Sequence, residues 1–68
     1  VPSTTIQYFE YKHLPEKLQK VSEPFYFLAH YMEDEIADGP EKSAGMRKLL
    51  EAKDCFVRAA LPAKEHDA

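Results

Sequence analysis

Two apolar stripes at helical spacing, parted by a single Gly39-Pro40 step, constrain this chain more than any other feature of it. Leu14, Leu18, Val21, Phe25, Leu28, Met32 and Ile36 recur at steps of three and four, which sets them along one side of a helix. Met46, Leu49, Leu50, Phe56, Val57 and Ala60 form a second stripe between Glu41 and Leu61. Gly39 supplies an easy positive-φ stop for a first helix ending near Asp38, and Pro40 suits the first turn of the next, where a missing N–H has no intrahelical partner to lose. Helices joined by so short a connection run antiparallel. The expected fold is all-α: an antiparallel helical hairpin over residues 14–61. Pro15 fits its first turn. Pro24 removes a backbone donor inside the stripe, so the first helix is expected to kink there, with Ser22 available to cap a second segment.

The flanks differ from the hairpin. Residues 1–13 hold Ser3, Thr4, Thr5, Ile6, Tyr8, Phe9 and Tyr11, a β-branched and aromatic mixture without a helical stripe, and are expected to form an extended N-terminal arm free to pair with another chain. Residues 62–68 read as a polar tail opened by Pro62. Near the hairpin turn, Glu33, Asp34, Glu35 and Asp38 crowd a helix C-terminus, where the macrodipole disfavours anions. Lys42, Arg47 and Lys48 at the start of the second helix are placed to offset them.

A chain of 68 residues has little interior. Ordering it costs about 100 kcal/mol at roughly 1.5 kcal/mol per residue, which a core of this size recovers only narrowly. Cys55 is the only cysteine, so no intrachain disulfide forms, and no paired Cys/His spacing suggests structural zinc. Phe25, Tyr26 and Phe27 point three ways around the first helix, while Ala52, Cys55 and Ala59 give the second a small-residue side. Two helices cannot cover all of these surfaces, and the chain is expected to assemble as a homo-oligomer.

Several function classes fall away. The formal charge of −3 argues against duplex nucleic acid as a partner, which calls for a basic face against many phosphates. A local group of Lys and Arg still suits a small phosphorylated ligand. No apolar run approaches the roughly 18 residues of a membrane span, so no membrane partner is expected and the reading is cytoplasmic. There is no Gly-rich phosphate loop, HExxH or Gly-x-Ser-x-Gly, so the chain is read as a non-enzyme without a cofactor. His30, Glu33 and Asp34 share a helical face, but this reads as a solvated polar face rather than a metal site. Cys55, set among Ala52, Phe56 and Ala59, reads as a small buried thiol.

Two groups carry candidate binding chemistry. Tyr8, Phe9, Tyr11, Lys12 and His13 place flat rings beside donors just before a helix. Rings of this kind stack on nucleobases, while Lys12 and His13 suit a phosphate. Phe9 fits a subunit interface better than a base, and Tyr11 fits either. Ser43, Arg47 and Lys48 lie near the positive end of the second helix and suit an anion, or equally N-terminal capping and pairing with the acidic cluster.

The run Phe9-Glu10-Tyr11-Lys12-His13-Leu14-Pro15, then Ser22 to Ala29, then Pro40-Glu41-Lys42-Ser43-Ala44-Gly45-Met46-Arg47-Lys48-Leu49-Leu50-Glu51-Ala52, resembles a family of small bacteriophage proteins, the anti-CBASS cyclic-nucleotide sponges. These share a helical hairpin with the Thoeris anti-defence sponges. The resemblance covers about residues 9–60. It implies a homohexamer that captures cyclic di- or trinucleotide signals of bacterial anti-phage defence without cleaving them, which starves the immune effector. It also implies Tyr11 as the ring that stacks on a base, and Ser43, Arg47 and Lys48 as phosphate contacts. Ser22-Glu23-Pro24 carries acid and proline where family members often have basic residues, which leaves Lys20 or Lys12 for that contact. A cyclic ADP-ribose relative is the alternative ligand, and a small oligomeric protein-interaction module the alternative function.

Overall fold

The computed structural model describes residues 4–61. The chain is all-helical over these residues: a short 3-10 helix at Thr4–Phe9, then α1 at Glu16–Glu35 and α2 at Pro40–Ala59. The two long helices pack against each other as the expected hairpin, and the 3-10 helix contacts both. The polar tail at 62–68 lies outside the described residues.

The extended arm is corrected over Thr4–Phe9, which coils into a 3-10 helix. Three residues per turn bring Ile6 and Phe9 to the same side. Phe9 is then fully buried and Ile6 packs beside it. An extended segment would have pointed these two rows to opposite faces. Lys53 of α2 fastens the segment: its Nζ donates to the Tyr8 carbonyl at 2.9 Å and lies 5.9 Å from the centre of the Phe9 ring.

Pro24 sits inside one uninterrupted helix rather than dividing it. It is exposed. Only the Lys20 carbonyl loses a partner through it. Ser22 is no cap but a fully buried helical residue whose Oγ has no hydrogen-bond partner. Leaving at Glu35, α1 ends sooner than expected: Ile36 adopts extended angles and closes the last turn through its N–H to the Met32 carbonyl. Gly39 is extended too, with φ of 169°, so the positive-φ stop expected there is not used. Pro40 opens α2 as expected.

Phe9, Ala29 and Met46 form the core, one residue from each element. Ile6, Phe25, Tyr26, Met32, Leu49 and Leu50 surround them, partly buried. The stripes are therefore only half used. Leu28, Ile36 and Phe56 remain 42%, 48% and 58% exposed, and Phe27 and Tyr31 are open as well.

Candidate ligand-binding surface

Tyr8, Tyr11, Lys12 and His13 are positioned by the turn between the 3-10 helix and α1. The Leu14 N–H donates to the Tyr11 carbonyl, and Gln19 Nε2 donates to the carbonyls of Lys12 at 3.3 Å and Leu14 at 2.7 Å. Because the backbone is held by Lys53 on one side and Gln19 on the other, the side chains between are presented in a defined order. Tyr8 is 59% exposed, and Lys12 and His13 are open. Tyr11 is different. Its ring is only 8% exposed, meets Tyr26 edge-on at 5.1 Å, and its hydroxyl donates to Glu23 Oε2 at 3.1 Å. Burial, reinforced by the Glu23 carboxylate, raises its phenol above the ordinary value. Phe9 is interior, fully buried within its own chain.

Ser43, Arg47 and Lys48 stand in the first half of α2, with Ser43 half-buried and the two cations exposed. The N-terminal capping expected of α2 is not met, since no side chain caps its first turn. Arg47 and Lys48 make no ion pair among the described residues. Of the three cations expected to offset the acidic cluster it is Lys42 that does so: its Nζ lies 2.8 Å from Asp38 Oδ1 and 3.5 Å from Glu33 Oε2 and donates to the Glu33 carbonyl at 2.9 Å. The hydrogen bond from Lys42 holds the Asp38 carboxyl below its usual range, and the same bond raises the Lys42 ammonium.

No hydrogen bond or ion pair links the two candidate groups among the described residues. Lys12 sits beside Gln19, whereas Gly45 and Leu49, which bracket Arg47, line a groove with Leu28 and Met32. Tyr8 lies nearer to α2, since Lys53, six positions beyond Arg47, bonds its carbonyl and the adjacent Phe9 packs with Met46. Open apolar surfaces lie on the same hairpin. One groove of ≈ 390 Å³ is lined by Leu28, Met32, Ile36, Gly45, Met46 and Leu49. Another is formed by Val21, Phe25, Phe56, Ala59 and Ala60.

Sequence reasoning missed Lys53 and Glu23. A lysine that reaches a backbone carbonyl leaves no mark in an apolar pattern, and neither does a glutamate paired with a tyrosine twelve positions away. Cys55 was misplaced: it is exposed, with Arg58 Nη2 3.3 Å from its Sγ, because its side of α2 is not covered by α1. His30, Glu33 and Asp34 line a shallow groove of mixed polar and apolar character with Ile6, Ile36 and Lys42, and no cluster among the described residues is arranged to hold a metal ion. Among the described residues no helix is long and apolar enough to cross a membrane.

Comparison with known proteins returned no matching family model, curated protein or solved structure.

Proposed function

We propose that this chain is a non-catalytic sponge, a bacteriophage protein that sequesters cyclic di- or trinucleotide signals of bacterial defence in crevices formed between its own copies. The observation that carries this reading is the exposure of both candidate groups on a hairpin with uncovered apolar surface. Tyr8, Lys12 and His13 are exposed ahead of α1 and Arg47 and Lys48 are exposed on α2, with uncovered apolar grooves on the same hairpin. Copies that bury those grooves against one another bring a ring patch of one subunit toward a cationic patch of the next. Stacking on an exposed ring contributes roughly 1–3 kcal/mol per base, and unpaired cations suit the phosphates. The resemblance over residues 9–60 points to the same ligand class and to a hexamer acting in the host cytoplasm.

Native mass spectrometry of the full chain, with and without cyclic dinucleotides, cyclic trinucleotides and cyclic ADP-ribose isomers, tests the proposal. The expected result is an oligomer that gains whole ligand masses and returns the ligand chemically unchanged on denaturation. An assembly that takes up no member of the panel contradicts it. The exposed Phe27, Leu28 and Tyr31 side chains on α1 favour one other reading, a protein-interaction module. A monomer that ignores the panel selects that alternative.

A further inference from the structure

The resemblance implies that Tyr11 stacks on a base, yet the chain holds that ring against itself. Phe9 is fully buried and Lys53 fixes the Tyr8 carbonyl, so the chain is anchored up to residue 9. Gln19 anchors it again at Leu14, through the shorter of its two bonds. Between these points lie Glu10, Tyr11, Lys12 and His13. Of the four, three are exposed, and only Tyr11 is tied to α1 by its side chain. The tie has two parts, an edge-on contact with Tyr26 and one hydrogen bond to Glu23. Glu23 is itself exposed, and no cation among the described residues pairs with it.

We infer that Glu10–His13 is a four-residue flap latched shut by the Tyr11–Glu23 hydrogen bond, an autoinhibitory contact that a phosphorylated ligand displaces to reach the Tyr11 ring. This rests on the ligand-binding reading of the same surface. Two physical effects make Glu23 the latch. As an ionised acceptor it holds the phenol more strongly than a neutral group does. As an exposed anion next to the flap it also opposes an arriving phosphate while the flap is closed. The raised phenol keeps the donated proton in place across the physiological range. Opening the flap breaks the part-buried Tyr11–Glu23 hydrogen bond and the Tyr26 ring contact, frees the Leu14 N–H from the Tyr11 carbonyl and exposes a buried ring, while Phe9, Ala29 and Met46 keep their places.

The test combines hydrogen exchange and calorimetry on the full chain and on Glu23→Ala, Glu23→Gln and Tyr11→Phe, with helix content checked by circular dichroism. Glu23→Ala and Tyr11→Phe are each expected to speed amide exchange over residues 10–14 by about fivefold, the factor set by one charge-assisted, part-buried hydrogen bond. Amides of α1 and α2 should keep their rates. Combining the two substitutions should add nothing further, since both remove the same contact. Binding of cyclic di-AMP and cyclic GMP–AMP should tighten by about the same factor in Glu23→Ala, and Glu23→Gln, which loses the charge but keeps an acceptor, should fall between it and the unmodified chain. Unchanged exchange in both single variants overturns the latch. Faster exchange with weaker binding also overturns it, because Glu23 would then be a ligand contact. If neither nucleotide binds any form, the sponge reading fails and autoinhibition with it, whereas the exchange rates still report separately on whether the contact holds the segment.

Discussion

The hairpin has a closed side and an open side, and of the closed core of Phe9, Ala29 and Met46 only Met46 belongs to either apolar stripe. On the closed side, Phe9 inserts between Ala29 and Met46, Lys53 clamps the backbone above it, and the three residues are essentially inaccessible. On the open side, Leu28 and Ile36 stay 42% and 48% exposed beside Met32 and Leu49, although their spacing marks them for burial and that of the buried Ala29 does not. The difference is not in the helices but in what covers them. Six residues of 3-10 helix shield one flank and nothing in the described chain shields the other. An apolar stripe thus reports that a face will be buried, without reporting whether the same chain buries it.

Truncating the plug should have the largest effect on this contrast. Phe9→Ala removes a fully buried ring from the closed side and is expected to cost about 3–5 kcal/mol. For a chain this small that is enough to abolish a cooperative melt followed by circular dichroism. Charging the open side should act on assembly instead. Leu28→Glu is expected to lower the sedimenting mass to that of a single chain by removing about 1.5–3 kcal/mol of apolar burial per contact, and helix loss should follow only through dissociation. If Leu28→Glu leaves the sedimenting mass unchanged, the two sides do not differ in the way proposed.

Much of the hairpin was legible because it depends on local rules. The Gly39-Pro40 step places the break between helices within a few residues, and the stripes give their mutual orientation. The course of the first residues was not legible. Thr4, Thr5, Ile6, Tyr8 and Phe9 have strand-like side chains, but the burial of Phe9 against two helices favours a coil that turns Ile6 the same way. For the candidate site, composition singled out Tyr8, Lys12, His13, Arg47 and Lys48, all of which are exposed and available. It did not anticipate that Tyr11 folds back onto Tyr26 and Glu23, since that contact spans twelve positions and follows no period. Lys42, Arg47 and Lys48 looked equivalent as partners of the acidic cluster. Only Lys42 stands one helical turn from Asp38 and opposite Glu33.

Smaller effects refine the same contrast. Ser22→Ala removes a buried hydroxyl without a partner from the closed side and should stabilise by up to about 1 kcal/mol, seen as a higher melting temperature. The same change on the open side has no reason to help. The smallest effect is the pH response of the turn. Because Lys42 lowers the Asp38 carboxyl, their contact contributes in full above the ordinary value of 3.8 and is lost as pH falls below it through the depressed value. Because Asp38 raises the Lys42 ammonium, the contribution is also full below 10.5 and lost as pH climbs through the raised value. Melting temperatures of the unmodified chain and Lys42→Met should differ by a constant amount between those limits and converge beyond them. A difference that varies across mid-range pH would assign the effect to other groups.

The central claim is that one copy leaves apolar surface which only another copy covers. Sedimentation velocity of the full chain at micromolar concentration measures this directly. The account predicts a discrete oligomer whose mass holds on dilution well below the concentration used for folding measurements. A stable, fully helical single chain would contradict it, and the crevices proposed to hold the ligand would then have no walls.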